Sequence, residues 1–251
     1  MTSLSDLSSW QWLMAILAAI TLGMSKSGIA GASIVGILLM SSIFPARAST
    51  GIILPMLIAA DFMACGAYWK DAKWRHVFRL LPPAVAGVVL GSLLMQMIPA
   101  SQYRHVIGWI ILVMVILQAL KLRYRDFAPP LFHQWPFAAT MAVLAGATTM
   151  MANAAGPVMA LYLTVVDLPK VEFVATGAFF FLVINLVKTP FSWSQGLITE
   201  QTLVFNTLML PAIAAGVWLG RWIVVRLSQR VFEILIVGFS AVAAIRLIWP
   251  G

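Results

Sequence analysis

The sequence predicts an all-α integral membrane protein built from two inverted-topology repeats, and three observations carry that prediction. First, the 251 residues are 62% hydrophobic and 10% charged, with a mean hydropathy of +0.97, whereas a soluble domain is about 45–50% apolar and about 25% charged. Second, the apolar residues form continuous runs of about 20, the length that crosses a hydrocarbon core, and they do not alternate as barrel strands must. Third, the second half of the chain repeats landmarks of the first. Composition alone excludes a soluble enzyme, a nucleic-acid module and a disordered chain, and it leaves no stretch for a soluble domain of even about 50 residues.

In chain order, the first element covers residues 7–24, breaks at Ser25-Lys26-Ser27-Gly28 and resumes over 29–44. Spans follow at 48–69, 77–98 and 105–120. The second half opens on 135–151, breaks near Asn153-Ala154-Ala155-Gly156-Pro157, resumes over 158–166, and continues with spans at 173–191, 203–225 and 232–249. Each half is thus an interrupted helix or hairpin plus three transmembrane helices, giving eight hydrophobic units and up to ten passes. Ser49-Thr50-Gly51 matches Ala175-Thr176-Gly177 at an offset of 126, while Pro82, Gly87, Leu90 and Gly91 match Pro211, Gly216, Leu219 and Gly220 at an offset of 129. The repeats divide the single membrane domain into residues 1–125 and 126–251. Interrupted segments at corresponding positions of a duplicated membrane protein point to a transport site.

The net charge of +8 reads as loop asymmetry, not as affinity for nucleic acid. Lys70, Lys73, Arg75, Arg79, Lys121, Arg123, Arg125, Lys170, Arg221, Arg226 and Arg230 fall on one side only if each interrupted pair enters the membrane and returns. Arg47, Arg104 and Arg246 then lie outside, as do both termini and the cation-free loop 192–202, and the halves are inverted. The first 25 residues carry no Lys or Arg, so the basic start of a signal peptide is missing and the N-terminal segment is expected to stay. Trp10, Trp12, Trp69, Trp74, Trp109, Trp135, Trp193 and Trp249 lie near span ends and form an interfacial belt.

Two cations remain at membrane depth. Lys26 is costly there unless it faces a cavity or a partner. With the hydroxyls of Ser25 and Ser27, the Gly28 break and the start of the following half-helix near residues 27–29, it makes a site for a small anion; the alternative is a lysine snorkelling to the headgroups. In the second break Thr149, Asn153 and Gly156 offer a hydroxyl, an amide and backbone N–H groups, and Pro157 suits a first helical turn; a cap and packing motif is the alternative. Asp61 and Lys188 occupy nearly equivalent places in the duplicated span. Asp61 is the candidate for proton coupling, or else the partner of a lysine or hydroxyl. Asn185 lies one turn before Lys188 and lines the same path, while Lys188, close to the end of its span, either joins the site or snorkels. Thr50 and Thr176 adjoin repeated glycines, which fits helix packing or ligand contact, and Arg47 is an external funnel residue or an anchor. Cys65 reads as packing, and His76, His105 and His133 have no metal-ligand spacing, so no metal or cofactor is expected. No HExxH, Walker sequence or paired-carboxylate motif suggests an enzyme or a self-contained pump.

Gly23-Met24-Ser25-Lys26-Ser27-Gly28, Met150-Met151-Ala152-Asn153-Ala154-Ala155-Gly156-Pro157 and Ala175-Thr176-Gly177 with Asn185 and Lys188 resemble the TauE/SafE family of sulfite and organosulfonate exporters. The resemblance extends over residues 16–248. It implies a permease of the bacterial inner membrane for small sulfur-containing anions such as sulfite or sulfoacetate. The expected protein is a secondary transporter working by alternating access, with a midplane anion site between the two breaks, a coupling ion such as H⁺, and the lipid bilayer around it. A passive anion channel and a carrier for another small anion, such as a carboxylate, are the alternatives; the packing glycines suit contacts within the chain or in a homodimer.

Overall fold

The computed structural model describes residues 7–29, 31–98, 100–124, 132 and 134–249. Among these there are ten helices and no strand: α1 (Ser9–Ser27), α2 (Ser33–Ile43), α3 (Ala46–Tyr68), α4 (Trp74–Met97), α5 (Ala100–Arg123), α6 (Trp135–Ala152), α7 (Gly156–Val165), α8 (Lys170–Ser194), α9 (Glu200–Arg226) and α10 (Gln229–Ile248). Seven of them, α3 to α6 and α8 to α10, are long and apolar enough to cross a membrane. The protein is an all-α integral membrane protein. Arg125 and His133 lie outside the described residues, as do the side chains of Arg47 and Arg104. Trp10, Trp69, Trp74, Trp109, Trp135, Trp193 and Trp249 are exposed on the outer surface of the bundle, while Trp12 tilts against Phe205.

The first break differs from its expected place. α1 continues through Ser25, Lys26 and Ser27, because both serines turn their hydroxyls back onto helix carbonyls: Ser25 Oγ donates to Leu22 O (2.7 Å) and Ser27 Oγ to Gly23 O (3.2 Å). Such back-bonding keeps Ser compatible with a helix interior. The helix stops at Gly28, and Gly31 adopts φ +100° in the turn before α2, a conformation that favours glycine. The amide end of the following half-helix therefore lies at residues 31–33 and not near 27–29. The second break is tighter. Asn153 closes α6 in the left-handed conformation (φ 53°, ψ 30°), with its N–H returning to the carbonyls of Thr148 and Thr149, a cap that Asn tolerates better than most residues.

Each interrupted pair is a hairpin that returns to the face from which it entered. Trp12 near the start of α1 and Phe44 at the end of α2 both pack on Phe205, with ring centroids 5.7 Å apart in each case. In the other half, Trp135 at the start of α6 lies under Arg79, and Tyr162 near the end of α7 meets His76 one turn earlier on α4. The two hairpins thus enter from opposite faces. The basic loops gather on one of these faces: Lys73 pairs with Glu172 (2.9 Å), Lys121 with Asp167 (3.2 Å), and the Lys170 ammonium donates to Leu227 O at the C-terminus of α9.

The duplicated glycines seat the long arm of each hairpin. A Cβ on Gly87 or Gly91 of α4 would strike the α6 backbone at Val143 or Ala147, and one on Gly216 or Gly220 of α9 would strike the α1 backbone at Ile20 or Met24. Close approach through small residues is how membrane helices associate without a hydrophobic driving force between them. The short arms differ. α2 lies chiefly along α1, whereas α7 is shared between α5, α6 and α10. α3 and α8 pack against each other through the middle of the bundle, where they carry the polar residues of the site.

Candidate functional site

Four residues of α8, Gly177, Phe181, Asn185 and Lys188, are spaced by four, four and three positions and so share one helical face. That face meets α3, the last turn of α1 and the α6–α7 break. Lys26 Nζ lies 2.9 Å from Asp61 Oδ1 and 3.2 Å from Oδ2, and 4.3 Å from the centre of the Phe181 ring. Asn185 Nδ2 donates to Asp61 Oδ2 at 2.6 Å. Asp61 is fully buried and the Lys26 side chain is 9% exposed. The first lysine is therefore an internal ion pair and not a snorkelling residue.

Lys188 does not snorkel either. It is 1% exposed, because α8 runs on to Ser194 and leaves the lysine well inside the helix. Its ammonium donates to Thr149 O (2.8 Å), Thr149 Oγ1 (3.1 Å) and Asn153 Oδ1 (2.6 Å). All three partners are neutral, and among the described residues no carboxylate forms an ion pair with it. Asn153 Nδ2 in turn donates to Thr50 O at 3.3 Å, which ties the second break to α3. Asn153 thus ends a helix and holds a buried cation at once.

A cavity of about 70 Å³ opens between these groups. Ser25, Lys26, Thr149, Asn153, Gly156 and Asn185 line it, which brings together six of the residues singled out in the sequence. Lys188 and Asp61 stand directly behind that lining, bonded to Thr149, Asn153, Asn185 and Lys26. Ser27 and Gly28 are placed elsewhere. Both pack against Gly220 of α9, and Ser27 O accepts the Tyr68 hydroxyl at 2.6 Å. Thr176 is buried, with its hydroxyl accepting the Lys73 N–H at 3.0 Å.

The sequence reading missed Phe181 and the first residues of α2. Gly31 and Ser33 line the cavity from one side, and Ala155 and Gly156 line it from the other. The N-termini of both short helices therefore face the same space, each with backbone N–H groups that lack an intrahelical acceptor and with a positive dipole end. The signal for Phe181 was present in its four-residue spacing from both Gly177 and Asn185.

Two larger spaces flank the cavity. One of about 360 Å³ reaches Ser41 and Arg246 on the face away from the basic loops and shares Gly31, Ser33, Asn153 and Gly156 with the central cavity. The other, of about 710 Å³, reaches Lys121, Arg123 and Arg230 on the basic face, and the residue it shares with the central cavity is Phe173. That ring sits edge-on to Phe232 with centroids 5.2 Å apart.

A multi-pass helical bundle whose two half-helices converge on a buried, charged cavity belongs to the class of membrane transporters. The chain is a member of the sulfite exporter TauE/SafE family, whose model matches residues 12–247. Membership makes it a membrane transporter of sulfite and related anions. No curated protein and no solved structure matches the chain.

Proposed function

We propose that the protein is a secondary transporter that carries small sulfur oxyanions or sulfonates through the central cavity by alternating access. The single observation behind this reading is Lys188: a cation buried in the bundle, held by three neutral acceptors, beside a cavity of anion size. Burying an ammonium without a counter-charge is costly, and an anion in the cavity would supply that charge. The convergent N-termini of α2 and α7, the amide of Asn153 and the hydroxyl of Thr149 add donors around the same point.

In this reading residues 1–125 and 126–251 act as inverted repeats, and the basic face is cytoplasmic by the positive-inside rule. The two flanking spaces are the routes to either side. Proton coupling is assigned to Asp61, the acid bonded to two cavity-lining groups; an Asp61→Asn protein that still accumulates substrate in response to a pH gradient would remove it from that role.

The test is sulfite counterflow in proteoliposomes. Saturable exchange that is lost in folded Lys188→Gln supports the carrier and its site. Unsaturable flux far above about 10³ per second with no exchange would make the protein a channel, since carriers that change conformation in each cycle are limited by motions on the μs–ms scale.

A further inference from the structure

We propose that the cavity selects singly charged anions over doubly charged ones, and that the favoured sulfur species is protonated bisulfite and not the sulfite dianion. This rests on the reading of the cavity as the transport site. The argument begins with a count of charge. Among the described residues, the ionisable side chains that line the cavity or bond to its lining are Lys26 of α1, Asp61 of α3 and Lys188 of α8. The residues contributed by α2, α6 and α7 to the lining are uncharged. Two ammonium groups and one carboxylate leave one formal positive charge.

A monoanion neutralises that charge. A dianion overshoots it and leaves a net negative charge in the middle of a bundle, where an uncompensated ion is expensive.

The second observation is Asn185. Its Nδ2 is engaged by Asp61, while its Oδ1 is buried without a hydrogen-bond partner in a residue that lines the cavity. An amide oxygen accepts and cannot donate. A fully ionised oxyanion brings only acceptors and would leave Asn185 Oδ1 unsatisfied, whereas a protonated monoanion offers the missing donor. Lys26 and the half-helix amides supply the donors for its remaining oxygens. The wall is thus matched to a ligand that is mostly acceptor, carries one charge, and presents one proton.

The experiment is a thermal-unfolding series on detergent-purified full-length protein, read by tryptophan fluorescence. The probes are methanesulfonate as a monoanion without a proton, sulfate and thiosulfate as dianions, and sulfite at several pH values across the bisulfite ionisation. Stabilisation by a ligand follows its concentration over its dissociation constant. Methanesulfonate is expected to bind at least about tenfold more tightly than either dianion. The affinity for total sulfite, taken relative to methanesulfonate at the same pH, should fall about tenfold per pH unit above the bisulfite ionisation, because the protonated fraction falls by that factor while methanesulfonate tracks any titration of the protein itself.

Two variants test the count directly. Asp61→Asn raises the formal charge to two and should shift preference toward sulfate and thiosulfate. Lys26→Gln with Asp61→Asn restores the single charge through Lys188 and should restore the monoanion preference; it also serves if Asp61→Asn alone does not fold. Sulfate or thiosulfate binding as tightly as methanesulfonate, or sulfite affinity that does not change with pH, overturns the proposal while leaving the transport site in place. Stabilisation by no anion, or stabilisation unaltered in Lys188→Gln, overturns the underlying reading as well.

Discussion

The break after α1 and the break after α6 occupy corresponding places in the two halves, but their charges are distributed in opposite ways. In the first half the cation sits on the hairpin, at Lys26, and the long helix supplies the carboxylate of Asp61 that pairs with it. In the second half the hairpin carries the amide of Asn153, and the cation is Lys188 on the long helix. One half is internally neutral and the other is not. Two half-helix N-termini converge on one cavity, and the charged groups around it sum to an excess positive charge. The lysine beside a sequence break is therefore the compensated one, and the lysine in the unbroken helix is the one proposed to attract an anion.

The sharpest way to break this comparison is to remove the uncompensated cation. Lys188→Gln should lower sulfite uptake in proteoliposomes by two or more orders of magnitude, in line with the roughly 2–5 kcal/mol lost when one partner of a buried charged contact is truncated, while circular dichroism of the protein stays unchanged. Next in size is the neutral half. Asp61→Asn strands a buried ammonium, so unfolding in detergent should show a loss of about 3–5 kcal/mol, most of it recovered when Lys26→Gln is added.

Glycines separate site from scaffold at a smaller scale. A Cβ on Gly156 meets nothing within 4 Å, so Gly156→Ala should fold with a stability change under about 1 kcal/mol and raise the KM for sulfite several-fold by occupying the cavity. Gly216→Ala drives a methyl into the Ile20 carbonyl of α1, and it should lower the unfolding temperature instead, with a destabilisation of about 1–3 kcal/mol typical of overpacking. The least effect belongs to the exposed ion pair on the basic face: Lys73→Ala removes the contact with Glu172, in which the lysine side chain is 48% exposed, and should cost under about 1 kcal/mol with no change in uptake.

Much of the fold was legible in the sequence because its signals are local. Runs of apolar residues mark the spans, and the basic loops already required each broken segment to turn back, as Trp12 with Phe44 and Trp135 with Tyr162 show it does. Glycines repeated at an offset of 129 marked the α4 and α9 faces that receive the hairpins. The site was less legible, for two physical reasons. The end of α1 depends on serine hydroxyls bonding back to their own helix, which moved the amide end of α2 to Gly31 and Ser33 and left Ser27 and Gly28 as packing residues. The pairing of Lys26 with Asp61 and of Lys188 with Asn153 is set by how helices distant in sequence cross, and no local pattern encodes it. Lys188 looked like a headgroup lysine because the apolar run fades after Phe191, although the helix itself continues to Ser194.

The most direct test of the account compares sulfite counterflow in proteoliposomes for three proteins: the native chain, Lys188→Gln, and the double variant Lys26→Gln with Asp61→Asn. The native chain and the double variant both keep the uncompensated cation and should both exchange sulfite, the double variant at reduced affinity, while Lys188→Gln should not exchange it. Native-like exchange by Lys188→Gln would contradict the account, because the anion would then be bound without the charge on which the site is argued to depend.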